Sequence, residues 1–157
     1  MLTDTQRKVL LFISELLTSN KIEFQATGGL AAIAYGATRP LYDIDIDIYK
    51  KDVGEVRSLL KQYILEDWNN ELEGDNDNFD LWMMTLEIDG VSIDISQLDG
   101  SRVRRLGGEW TAQPETMDVE IRAIEGIELP IQNKQHLIEY KLLIARDSDL
   151  EDVSQIS

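Results

Sequence analysis

Cysteine is absent from the 157 residues, which excludes disulfides and thiolate-bound metals and suits a reducing cytoplasm. The single histidine, His136, has no visible partner and reads as a helix-surface residue, so imidazole catalysis and histidine metal centres have no basis here. No apolar run approaches the roughly 18 residues of a membrane span. The start, Met1-Leu2-Thr3-Asp4, lacks the basic region and apolar core of a signal peptide. A cytoplasmic location with no membrane partner is therefore expected. Positive charge is also scarce: 15 Lys and Arg stand against 30 Asp and Glu, a net charge of −15. Such a surface repels phosphate backbones, so an extended nucleic-acid face is not expected. A small polyanion still has two basic spots open to it, Arg102-Arg104-Arg105 and Lys134-Lys141-Arg146.

The hydrophobic share of 43% supports a core, and no linker or repeat divides the chain. One α+β domain over 1–157 is expected, a mixed β-sheet flanked by helices. Helical spacing of Val9, Leu10, Phe12, Ile13, Leu16 and Leu17 predicts a helix over 5–18, capped by Thr3 or Asp4. A short strand is expected over 21–26, then a small-residue helix over 30–35 opened by Gly28-Gly29 and ended by Gly36. Further expectations are a strand over 41–49, a helix over 53–63 and a polar loop over 69–80. Strands over 81–89 and 91–97 are joined at Asp89-Gly90. The stretch 99–114 reads as irregular. A second hairpin joins 117–123 to 127–131, and helices follow over 134–146 and from 149. Trp68, Trp82 and Trp110 read as core or core-edge residues.

The chemistry concentrates in Asp43-Ile44-Asp45-Ile46-Asp47-Ile48. Strand side chains alternate, so the three carboxylates share one face and the isoleucines fill the other. Strands are depleted in aspartate, and three like charges in a row call for a neutralising cation. Asp43 and Asp45 lie about 6.6 Å apart along the strand, close enough to converge on one ion, whereas Asp47 lies about 13 Å from Asp43. Asp94, in Val91-Ser92-Ile93-Asp94-Ile95, is a second acid in an apolar strand and completes a triad if the two strands are neighbours. Oxygen ligands alone suit Mg²⁺ or Mn²⁺. Gly28-Gly29 at a helix start lets a phosphate approach the backbone N–H groups. Metal-binding carboxylates beside a phosphate cradle suit transfer of a nucleotidyl group.

These motifs resemble the polymerase-β-type nucleotidyltransferase superfamily. The closer resemblance is to its small members, the lincosamide-type antibiotic nucleotidyltransferases and the AbiEii-like enzymes of toxin–antitoxin systems. The shared pattern is Gly28-Gly29, Thr38-Arg39-Pro40, then Asp43-Ile44-Asp45-Ile46, and it extends over residues 26–153. The resemblance implies a nucleoside triphosphate such as ATP as donor, a hydroxyl or phosphate acceptor of unknown identity, and a divalent cation at Asp43 and Asp45. It makes Asp94 a further ligand or the base that activates the acceptor. It places Lys141 on the nucleotide phosphates, followed by Arg146 and the acidic turn 147–152.

Simpler readings stand beside these. A calcium loop is excluded because Ile48 and Gly54 occupy the positions where an EF-hand needs glycine and glutamate. A solvated edge strand would also carry alternate aspartates. Arg39 either clamps a phosphate or pairs with an aspartate, and the register of the metal pair, Asp43/Asp45 or Asp45/Asp47, stays open. The competing functional reading is a catalytically inactive nucleotide- or partner-binding module of a toxin–antitoxin pair, with a protein partner.

Overall fold

The computed structural model describes residues 1–69 and 78–157. Helix α1 (Asp4–Ser19) starts at a capping box in which the Thr3 side chain accepts from the Gln6 N–H and the Gln6 side chain accepts from the Thr3 N–H. Strand β1 (Phe24–Thr27) runs straight into α2 (Gly28–Ala34), so the helix begins at the diglycine itself. Strand β2 (Ile44–Ile48) and helix α3 (Val53–Leu59) follow. The remaining elements are β3 (Ile64–Asn69), β4 (Phe79–Asp80), β5 (Trp82–Ile88), β6 (Val91–Gln97), β7 (Arg102–Val103), β8 (Thr111–Ala112), β9 (Val119–Ile124), β10 (Ile127–Gln132), α4 (Lys134–Ile144) and α5 (Asp147–Ile156). No helix among the described residues is long and apolar enough to cross a membrane.

The α+β architecture with a mixed sheet is as the sequence implies. Seven strands order as β3-β5-β6-β2-β1-β10-β9. β2 lies parallel to β6 and β1 parallel to β10, and the other neighbours are antiparallel. The aspartate-bearing strand is therefore central, and a solvated edge-strand reading of its carboxylates is ruled out. Its isoleucines, Ile44, Ile46 and Ile48, are fully buried with Ile93 and Ile95 of β6 and with Val9, Leu10, Ile13 and Leu17 of α1. Both hairpin turns carry positive φ at two successive residues, Asp89-Gly90 and Glu125-Gly126, the two-residue turn that matches strand twist.

Five expectations are corrected. The helix expected over 53–63 stops at Leu59: Leu60 is wholly buried with non-helical backbone, and a 3₁₀ turn over Lys61–Tyr63 leads into β3. β3 was not anticipated, because a bulge between Ile64 and Glu66 breaks the alternation and leaves Leu65 exposed. The irregular stretch instead contributes β7 and β8 to a three-stranded sheet with β4, whose strands are too short to show a period. The expected loop 69–80 overlaps the last residue of β3 and contains β4, and its centre, 70–77, lies outside the described residues. At the far end, α4 closes at Ala145 in the left-handed conformation. α5 starts two residues earlier than expected because the Asp149 side chain accepts from the Arg146 N–H.

Candidate active site

Register across the sheet assembles the site. One row runs Thr85 (β5), Asp94 (β6), Asp45 (β2), Thr27 (β1), each residue the Cα partner of the next. The adjacent row on the same face runs Met83, Ser96, Asp47, Gln25. A cavity of about 300 Å³ opens over both rows. It is bordered by Gly28, Gly29, Arg39, Asp43, Asp45, Asp47, Asp94 and Lys141, so every candidate residue of the sequence reading meets one space.

Each carboxylate has a distinct environment. Asp94 Oδ1 accepts from the Thr85 hydroxyl at 2.7 Å. Burial pushes the Asp94 carboxyl up, against the Thr85 hydrogen bond, with Asp43 and Glu66 adding to the rise. Asp47 is buried and accepts from Gln25 Nε2 at 2.9 Å. Burial raises its pKa to about 6 despite that bond. Asp45 is pushed furthest, to about 8, first by burial and then by Asp94, Asp43 and Asp47. Asp43 sits one residue before β2 and is exposed.

Asp43, Asp45 and Asp94, expected from sequence to share an ion, all border the cavity. Among the described residues no three acidic or histidine side chains are grouped closely enough to hold a metal ion. Asp45 and Asp94 form an aligned pair, and Asp43 stands at the cavity margin. Like charges without a counter-ion spread apart or take up a proton, and the raised Asp45 pKa expresses burial first and that repulsion second. A hard divalent cation fits this donor set, since it would relieve the repulsion with oxygen ligands alone.

A pH dependence follows. Asp45 and Asp47 have folded pKa values above the ordinary carboxylate value, so the folded state binds more protons than the unfolded state between about pH 4 and pH 8. Stability from these groups is present at low pH and is lost as pH rises through that window. In metal-free buffer the melting temperature should fall from pH 5 to pH 8, and a flat or rising trend in scanning calorimetry would contradict this.

Both glycines stand close against side chains of the site. Gly28 has φ +58, and a Cβ there would lie 2.9 Å from Cγ of Asp45 and closer still to its Oδ2. A Cβ on Gly29 would lie 2.6 Å from Nη2 of Arg39. Arg39 is paired with an aspartate: its Nε and Nη2 donate to Asp152 at 2.6 and 2.9 Å. Lys141 is buried, with Nζ 2.9 Å from Asp152 and 3.4 Å from Asp149, and Arg146 Nε donates to Asp149 at 2.8 Å. Tyr140 borders the same cavity, and burial above all keeps its hydroxyl protonated, against the pull of Arg146.

The sequence reading did not single out Thr85, Gln25 or Tyr140, and it took Asp149 and Asp152 only as part of the acidic turn 147–152. Asp149 and Asp152 carried one usable signal: three apart, they fall on one helix face. The Arg102-Arg104-Arg105 cluster is engaged in wall structure. Arg102 pairs with Asp80, Arg102 and Arg104 lie over the Trp110 ring, and Arg105 donates to the Leu142 carbonyl. Trp82 is buried, and its indole N–H donates to Asp67.

Comparison with known proteins agrees with this fold. The family model for aminoglycoside-2''-adenylyltransferase matches residues 9–156. No curated protein matches the sequence. A candidate nucleotidyltransferase of Thermotoga maritima has a similar structure, with TM-score 0.74 and 19% identity over 98% of this chain and 93% of that one. The lincosamide antibiotic adenylyltransferase LnuA, solved with lincomycin, gives TM-score 0.61 and 17% identity over 99% and 96%. ANT(2'')-Ia, solved with adenylyl-2''-tobramycin, gives 0.66 and 16% over 97% and 87%.

Proposed function

The chain belongs to the aminoglycoside-2''-adenylyltransferase family, and on that footing we propose that it moves the AMP group of ATP to a hydroxyl of a small-molecule acceptor. The observation that carries this reading is the alignment of Asp45 with Asp94 on neighbouring central strands, beside the diglycine. The neighbours solved with lincomycin and with adenylylated tobramycin make a hydroxylated antibiotic the first acceptor class to test.

Residue roles follow from position. With Asp43 drawn in from the cavity margin, Asp43, Asp45 and Asp94 would hold Mg²⁺ or Mn²⁺. Bound there, the cation supplies charge neutralisation on the triphosphate and lowers the pKa of an acceptor oxygen. Asp94, held by the Thr85 hydroxyl, would take the acceptor proton. Gly28 and Gly29 leave the backbone open to the phosphates, and Arg39 and Lys141 balance their charge. Asp47 is engaged by Gln25 one row away from Asp94, which favours Asp43/Asp45 as the metal pair.

Pyrophosphate release tests the reading. ATP with MgCl₂ and a panel of aminoglycosides and lincosamides should yield pyrophosphate and an acceptor heavier by one AMP, and chelation of the metal should abolish both. ATP binding without release across the panel would favour the inactive module instead.

A further inference from the structure

Two of the three cations that border the cavity, Arg39 and Lys141, come from distant parts of the chain, yet one carboxylate holds both. Asp152, wholly buried at 0% side-chain exposure, takes a two-pronged contact from Arg39 at 2.6 and 2.9 Å. Its Oδ2 also lies 2.9 Å from Nζ of Lys141, itself only 2% exposed. The guanidinium so held lies against Gly29, where a Cβ would fall 2.6 Å from Nη2. We infer that Asp152 is a positioning residue of the nucleotide site, fixing Arg39 and Lys141 in the places from which they meet the triphosphate. The inference rests on the assignment of those two cations to phosphate made under the proposed function. It brings α5 into the active site through a residue that itself has no need to touch nucleotide.

Charge alone argues the other way. A carboxylate near a phosphate site repels the triphosphate, so its removal would tighten binding. Two features make positioning the larger effect. The negative charge is already matched by two cations at hydrogen-bond distance, so little of it reaches the cavity. Its hydrogen bonds also fix a guanidinium plane and a long ammonium stem, and both side chains would otherwise have to be ordered again at each binding event. The carboxylate holds its proton loosely for the same reason: burial opposes ionisation, but hydrogen bonds from Arg39 and Lys141 outweigh it.

Asp152→Asn and Asp152→Glu, compared with wild type by calorimetric titration of ATP in MgCl₂, by melting temperature and by pyrophosphate release, test this. Asp152→Asn should weaken ATP binding about tenfold, the worth of one charge-assisted hydrogen bond, while kcat at saturating ATP changes by less than about threefold. Asp152→Glu keeps the charge and should recover part of the affinity. A purely structural residue would lower the melting temperature and leave the ATP affinity of the folded protein at the wild-type value, and that result overturns the inference. Tighter ATP binding in Asp152→Asn overturns it too, by showing that the carboxylate competes with phosphate. If Asp152→Asn does not fold, Asp152→Glu decides: about threefold weaker ATP binding supports positioning, and wild-type affinity contradicts it. Wild-type protein that binds ATP but releases no pyrophosphate refutes the transferase reading and leaves the affinity comparison to judge Asp152 separately.

Discussion

Asp45→Asn is expected to lose about 10³-fold in transfer rate and to melt at a higher temperature than wild type in metal-free buffer at pH 8. The two effects share one cause. Asp45 faces Asp94 across the β2–β6 pair, and Asp43 and Asp47 add repulsion from its own strand. Burial and those neighbours lift its pKa to about 8. Even a quarter of that displacement corresponds to about 1.4 kcal/mol, and each kcal/mol moves the melting temperature of a chain this size by about 2–4 °C. Asparagine removes the repulsion and keeps the shape. It also removes the anionic oxygen that the cation requires, and loss of several kcal/mol of charge stabilisation at the transferring phosphate yields the rate effect. Scanning calorimetry beside a pyrophosphate assay checks both at once. Asparagine at this position with unchanged turnover would refute the metal assignment, and a lowered melting temperature would refute the repulsion.

Gly28→Ala is expected to damage the site from the other side. The backbone at Gly28 is left-handed, which costs a residue with a Cβ about 1–2 kcal/mol. The new methyl would also meet Asp45 side-chain atoms well inside van der Waals contact, and the β2 backbone behind them is fixed by two neighbouring strands. Relief requires the Asp45 carboxylate to rotate or α2 to shift. A displacement of about 1 Å at a reacting centre costs about 10²-fold in rate. The variant should therefore fold with a stability loss of about 2 kcal/mol and transfer about a hundredfold more slowly. Denaturant titration and steady-state kinetics measure the two quantities. Alanine at position 28 with wild-type kcat would show that Asp45 does not need its present placement.

The sequence made the site legible where chemistry and periodicity coincide. Alternating Asp and Ile in 43–48 told both which face is core and which carries charge, and the Asp89-Gly90 turn fixed the hairpin that brings Asp94 into play. Parallel pairing of β2 with β6 was a condition for the site that no local pattern could supply, and the structure meets it at Asp45 and Asp94. The small β4-β7-β8 sheet escaped because two-residue strands have no measurable alternation. The ion-pair network escaped for another reason. Arg39 and Asp152 are 113 residues apart, and the spacing of Asp149 and Asp152 marks a shared helix face without saying that cations bury it. Lys141 was legible as a cation near phosphate only through resemblance, since its burial is set by α5 folding over it.

A crystal grown with Mn²⁺ and a non-hydrolysable ATP analogue, with data collected at the manganese absorption edge, puts the carboxylate pair on trial. An anomalous peak bridging Asp45 and Asp94, with the analogue's phosphates against Gly28 and Gly29, is the predicted outcome. Manganese bound elsewhere while Asp45 stays without an ion would contradict it.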